Sequence, residues 1–192
     1  MKEFSKFINV DFEIIQAENT DEPKKLLYER KIDILVGFDI NNDDIYAKRS
    51  YPYHRVDYFI VTNTKYINAG TKLRNLEDYT VHTISSPIIT SNLDILKKSY
   101  KKLNYKEWKD KNIDEILNKL INNDINLVVL NSDEFKLFKQ YYSNLKSIHK
   151  ISNNVSLSWL LPKDVGNDLE KNLTDFFSYL LDKNKLNNIY SR

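Results

Sequence analysis

The chain has 192 residues, with 29 Lys+Arg against 27 Asp+Glu and a formal charge of +2, and the two signs are interspersed. That distribution argues against a nucleic-acid footprint, and with no cysteine neither a disulfide framework nor a thiolate metal site is available. No apolar run approaches the roughly 18 residues of a membrane span, residues 1–20 lack the apolar core of a signal peptide, and the length allows either one domain or two small lobes.

In chain order, Lys2–Ile8 reads as the end of an amphipathic helix and Val10–Gln16 as a strand alternating around Phe12 and Ile14. Helix Glu22–Arg30 and strand Ile32–Gly37 follow, then a polar, irregular segment, Phe38–Ser50. Tyr51-Pro52-Tyr53-His54-Arg55 leads into Val56–Thr62, a strand rich in β-branched and aromatic residues. After the loop Asn63–Gly70, Tyr79–Ser85 is a strand, and Ser86-Pro87 opens a helix with Leu93, Leu96, Tyr100 and Leu103 on one face. The lysine pairs Lys97-Lys98 and Lys101-Lys102 recur one helical turn apart and read as its solvated face.

The stretch Asp114–Asp133 is the clearest unit. Ile113, Ile116, Leu117, Leu120 and Ile121 share a helical face, and Leu127–Leu130 is a short apolar run of the kind a parallel sheet buries on both faces. Asn131-Ser132-Asp133 ends that strand, and a helix through Phe135, Phe138, Tyr141 and Tyr142 follows. Strand Val155–Leu161, stopped by Pro162, and helix Leu169–Leu181 complete the chain, whose alternation of strands and helices sets the class as α/β. The helix–strand unit at 114–133 echoes the one that opens at Asp21, Ile125-Asn126 matching Ile32-Asp33. Ligands in open α/β sheets sit outside the carboxyl ends of the strands, so two such units suggest two lobes facing a cleft.

Chemistry beyond recognition finds little support. His54, His82 and His149 are scattered among no obvious carboxylate partners, so neither a metal site nor a catalytic histidine is expected. Only Gly37, Gly70 and Gly166 exist, which leaves no phosphate loop and no nucleophile elbow. Catalytic residues and cofactors are therefore expected to be none. Tyr51 and Tyr53 offer a flat face and a hydroxyl to a ligand, or simply pack at a rim. Ser85 and Ser86 stand where a strand passes into a helix, where they either cap it or face an anion held by its free N–H groups. Asp39 and Asn131 follow the two matching strands.

Certain stretches carry a family resemblance: Lys31–Gly37, Ser50-Tyr51-Pro52-Tyr53, Leu76–Val81, Asn126–Phe135, Gln140-Tyr141-Tyr142, and a closing run from Ser156–Pro162 through Phe176-Phe177 to Leu186–Tyr190. In these the chain resembles the type 2 periplasmic-binding-protein fold, the family 3 solute-binding domains, and most of all the sensor domain of membrane-bound lytic murein transglycosylases of the F type. The resemblance implies a two-lobed fold with its N-terminal strand missing, since family members begin with a central strand and a full first helix. It also implies a periplasmic or cell-envelope setting and an amino acid, peptide or muropeptide as ligand. A covalently linked catalytic domain or a membrane partner is implied as well, with no part for nucleic acid. Amino-acid binders usually carry Thr-x-Glu-Arg before Ser-x-Pro-Tyr, the arginine gripping the ligand carboxylate. Asn42–Arg49 has no such motif, leaving Lys48, Arg49 or Arg55 as substitutes. The family's ammonium-binding acid aligns with Asn131, so an ordinary free amino acid is a doubtful ligand.

The sequence thus points to a small-molecule binding domain without catalysis of its own. Residues 1–62 with 153–192 form one expected lobe and 63–152 the other, and Asp39, Tyr51, Tyr53, Ser85, Ser86 and Asn131 are the expected ligand-binding residues. A transport receptor, the sensor region of a signalling receptor and a lobe pair that binds nothing stay open as alternatives.

Overall fold

A computed structural model describes residues 1–15, 21–38, 44–68, 70–72, 75 and 78–182. The helices are α1 (Lys2–Ile8), α2 (Asp21–Tyr28), α3 (Pro87–Ser99), α4 (Ile113–Ile121), α5 (Ser132–Tyr141) and α6 (Asn167–Asp182). The strands are β1 (Ala47–Arg49), β2 (His54–Asn63), β3 (Thr80–Ile84), β4 (Asn104–Trp108), β5 (Leu127–Asn131), β6 (Leu145–Leu157) and β7 (Leu160–Pro162).

The larger unit is a five-stranded sheet in the order β4-β3-β5-β2-β6. β3 runs parallel to β4 and β5, while β2 is antiparallel to β5 and β6. Two adjacent strands sort the core by the two-residue period of a strand. Leu127 and Val129 of β5 and Ile60 of β2 bury against Ile89 and Leu93 of α3. Val128, Leu130 and Val61 bury on the other face against Ile116, Leu117 and Leu120 of α4 and Phe138 of α5. α4 begins where it does because Asn112 and Glu115 form a reciprocal capping box. The β2–β6 ladder runs from His54↔Leu157 to Asn63↔Leu145, with register shifts between Val56 and Val61. Beside them the Asp57 carboxylate accepts the Asn154 N–H at 2.9 Å and pairs with Lys150 at 2.6 Å.

The smaller unit packs α1 and α6 together through aromatic rings. Phe4, completely buried, lies 5.1 Å from Phe176 and 5.7 Å from Trp159, and Phe177 meets Trp159 edge-on at 5.1 Å. β1 pairs antiparallel with β7, and Leu35 joins them through a bridge to Leu160. Lys48 pairs with Glu170 at 2.5 Å, tying β1 to α6, and Arg30 pairs with Asp164. The buried Ser50 hydroxyl accepts the Trp159 N–H at 3.0 Å and donates to the Tyr51 carbonyl at 2.9 Å, so it fixes the turn between β1 and β2 to the start of β7.

Several expected elements differ. Residues 10–15 form no strand, and Ile32–Gly37 contributes only the Leu35 bridge, because among the described residues the first stretch has no ladder partner and the second only the single pair with Leu160. β4 escapes sequence reading: Asn-Tyr-Lys-Glu-Trp is polar and mostly exposed, as suits the sheet edge where it pairs with β3 alone. The single strand expected at Val155–Leu161 is two, since the chain leaves the larger sheet after Leu157 and re-enters the smaller one at Leu160. β6 begins at Leu145, well before the expected start, in a stretch whose polar residues fit an edge position. The crossings expected at Val61–Asn63 and Ile151–Asn153 both fall inside the β2–β6 ladder.

Candidate functional site

The carboxyl ends of the parallel strands β3, β4 and β5 all open onto one cavity of about 350 Å³. Ser85 and Ser86 reach it from β3, Lys111 and Asn112 from the end of β4, and Asn131 and Glu134 from β5. Facing them from the smaller unit are Lys24, Gly37, Phe38, Arg49 and Tyr53. Tyr58, Ile84, Ile89, Val129 and Val155 supply apolar wall. Gly37 has φ +85°, a left-handed conformation that a side chain strains, which explains glycine at this wall.

Each polar group owes its position to a local device. Ser86 sits at the N-cap of α3 with extended backbone, yet its side chain makes no capping bond, and Pro87 follows at the first helical position. Its hydroxyl therefore stands at the cavity beside the helix N-terminus, whose first N–H groups lack intrahelical partners. Ser85 is more committed, its Oγ donating to Glu107 Oε2 at 3.1 Å. Asn131 is the N-cap of α5: its Oδ1 accepts the N–H groups of Asp133 and Glu134, both at 2.9 Å, while Glu134 Oε2 accepts the Asn131 N–H at 2.8 Å. That uses the acceptor of the Asn131 amide and leaves its NH₂ as the group able to meet a ligand. Tyr53 stacks on Phe177 at 5.9 Å and is half-buried, so it packs at the rim and presents its hydroxyl at once. Burial and the charge of Asp133 push its phenol up, keeping it a neutral donor.

The electrostatics favour an anion. Lys24, Arg49 and Lys111 line the cavity, and its carboxyl, Glu134, is pushed up to about 7 by burial, which outweighs the Asn131 N–H that favours its ionised form. Close to neutral pH the three cations among the described lining residues therefore outnumber its one partly ionised carboxyl. Lys111 is shared with Glu115 at 3.2 Å.

The cavity gathers four of the six expected residues, Tyr53, Ser85, Ser86 and Asn131. Tyr51 is 53% exposed and outside it, and Asp39 lies outside the described residues. Of the three substitute cations, Arg49 lines the cavity, Lys48 is turned to Glu170, and Arg55 is exposed away from it. Lys24, Lys111 and Glu134 went unnoticed in the sequence because nothing in their spacing separates them from the other charges. Among the described residues no group of three or more His, Asp or Glu could hold a metal ion, and no helix is long and apolar enough to cross a membrane.

Comparison with known proteins agrees with this architecture. No protein-family model matches the chain. It is similar to the membrane-bound lytic murein transglycosylase F of Pseudoalteromonas translucida (strain TAC 125), 24% identical over 186 residues that cover 95% of this chain and 39% of that protein. The chain thus spans about two-fifths of the length of such relatives. Among solved structures it is similar to an amino acid ABC transporter substrate-binding protein from Streptococcus pneumoniae Canada MDR_19A bound to L-arginine, at 16% identity and a TM-score of 0.81 over 98% of this chain and 78% of that one. The GluR0 ligand-binding core in complex with L-glutamate matches at 12% identity and a TM-score of 0.80 over 100% of this chain and 85% of that one. The chain has the two-lobed fold of the type 2 periplasmic binding proteins.

Proposed function

We propose that this chain is a small-molecule binding domain of a cell-envelope protein, sensing its ligand in the cavity between the two units. The observation that carries the reading is the convergence of three strand ends on one cavity, with Arg49 and Tyr53 opposite. The ligand carries an anionic group directed to Arg49, Lys111 and the N-terminus of α3, and the remainder lies against Tyr53 and the apolar wall. With Asn131 in place of the family's carboxylate, the described lining leaves only Glu134, about half protonated near neutral pH, to meet an ammonium, so an acylated amino acid or muropeptide suits the site better than a free amino acid. The likeness to lytic transglycosylase F supports a parent protein acting on peptidoglycan, with the cleaving chemistry outside these residues. The two lobes are the smaller unit, up to Tyr53 and again from Ser158, and the larger unit between them, and the chain segments that enter β2 at His54 and leave β6 at Leu157 act as the hinge. A solute receptor serving a permease is the second reading, favoured by the likeness to the streptococcal substrate-binding protein.

Native mass spectrometry of the 192-residue chain against L-arginine, L-glutamate and a muropeptide digest of sacculi tests the proposal. A one-to-one adduct with an anionic muropeptide, weakened in Arg49→Met, is the expected result. Release of soluble muropeptides from intact sacculi by this chain alone would show catalysis and overturn it, as would adducts indifferent to the Arg49 substitution.

A further inference from the structure

The larger unit has an end opposite the cavity, and its topology decides what gathers there. β3, β4 and β5 open onto the cavity with their carboxyl ends, so their first residues, Thr80, Asn104 and Leu127, lie at the far pole. β2 runs the other way and finishes there at Asn63, opposite Leu145, where β6 begins. Each of α3, α4 and α5 starts beside the cavity and returns to the start of the next strand, so all three helices end at this pole.

The charge that collects there is of one sign. Lys97 and Lys98 stand in the last turn of α3, Lys119 in that of α4 and Lys139 in that of α5, positions that the negative end of a helix favours. The helix dipole gives no reason for four more outside the helices: Lys65 two residues past β2, Lys101 and Lys102 in the turn before β4, and Lys146 at the second residue of β6. All but the half-buried Lys119 are exposed. None of the eight pairs with a carboxylate among the described residues, whereas elsewhere Lys6, Lys25, Lys31, Lys48, Lys111 and Lys150 all do. Against them the described residues set only Asp78 and Asp124, ahead of β3 and β5, in a chain whose formal charge is just +2. Three tyrosines stand open among the lysines: Tyr66 past β2 is 49% exposed, Tyr79 before β3 39%, and Tyr141 at the end of α5 75%.

We propose that this pole docks on an anionic phospholipid surface, with the lysine ammonium groups among the phosphates, the tyrosine rings at headgroup level and the cavity turned away from the lipid. A membrane is the occupant because the pole combines two features. Unpaired like charge is drawn to an anionic surface without any specific geometry, and the ring and hydroxyl of tyrosine suit the boundary between acyl chains and water. A second copy of this chain would bring like charge against like. Attachment is at the surface, since no helix among the described residues is long and apolar enough to cross a membrane. The inference is independent of what the cavity between the units binds.

The test is sedimentation of the whole chain with vesicles of phosphatidylglycerol and phosphatidylcholine in equal parts, against vesicles of phosphatidylcholine alone. Binding to the anionic vesicles is expected to be about a hundredfold tighter at low salt and to be lost toward about 1 M salt, where screening shortens to about 3 Å. Lys97→Gln with Lys98→Gln, Lys101→Gln and Lys102→Gln weakens it about a hundredfold, each charge held at the surface being worth about fivefold at most. The matching change to Gln of Lys2, Lys25, Lys163 and Lys171, all on the smaller unit, leaves it within about threefold. Tyr66→Ser with Tyr141→Ser weakens vesicle binding and leaves the binding of soluble inorganic polyphosphate unchanged. Circular dichroism checks that each variant is folded. Equal binding to the two vesicle types, no binding to the anionic ones at low salt, or an equal loss in both lysine sets would each overturn the proposal. So would a tyrosine pair without effect on vesicles that polyphosphate displaces, which would mark a soluble polyanion as the occupant.

Discussion

Asn131 serves two purposes with one amide, and the two respond differently to substitution. Its oxygen caps α5, so Asn131→Ala is expected to lower stability by about 1 kcal/mol and, through the lost NH₂, to weaken a hydrogen-bonded ligand by about 0.5–1.5 kcal/mol. Asn131→Asp separates them, because aspartate caps as well as asparagine while adding a charge to the cavity. Thermal melting should be nearly unchanged, and binding in a titrated panel should shift toward amine-bearing ligands and away from anionic ones. Glu134 makes the companion prediction. Its folded-state value of about 7 stands above the ordinary 4.5, so the stability it contributes is full below 4.5 and is lost as pH rises through 7. The loss is on the order of 3 kcal/mol. His82 and His149, whose values burial lowers, act below their ordinary 6.5 and in the opposite sense, losing stability as pH falls. Denaturant melts of Glu134→Gln against the wild type from pH 5 to 8 isolate the first effect: the difference should shrink toward the acid end, and parallel curves would mean the carboxyl is ionised throughout. Asn131 and Ser86 were legible in the sequence because each follows an apolar strand. Glu134 was not, since its burial depends on β5 and α5 meeting at the cavity.

At the scale of elements, legibility followed burial. β5 was plain because Leu127–Leu130 are buried on both faces, and α4 because its apolar residues keep helical spacing. β4 and the first half of β6 are edges with polar sequences, and only their neighbours show them to be strands. The junction between units was read as one strand because Ser158-Trp159 interrupts an apolar run without a glycine or proline; what breaks it is Ser50. Replacing Ser50 by Ala leaves the Trp159 N–H without its partner in a buried place and should lower stability by about 1–3 kcal/mol. Equilibrium unfolding followed by tryptophan fluorescence measures this, and a loss below a few tenths would mean water replaces the hydroxyl. Phe177, packed against Tyr53, Trp159 and Phe176, is the position where truncation to Ala should cost most, about 3–5 kcal/mol.

For the whole molecule, the two-lobed fold could be inferred from two helix–strand units and short degenerate motifs, whereas the absence of a regular strand at 32–37 could not, because a strand is defined by partners and not by its own residues. The two units are joined by the chain segments on either side of the His54↔Leu157 end of the β2–β6 ladder, held by the turn at Ser50, few enough connections for one to rotate on the other. A ligand that touches both walls favours the closed arrangement by its additional contacts there. The chain has no cysteine, so Lys171→Cys on α6 and Lys109→Cys beyond β4 give a clean pair of spin-label sites, one on each unit. Their distance distribution, measured without ligand and at saturation with whichever panel member forms an adduct, is the most direct test of a binding cleft between lobes. The account predicts a shift to a shorter, narrower distribution that Arg49→Met reduces at the same ligand concentration; an unchanged distribution at saturation would contradict it.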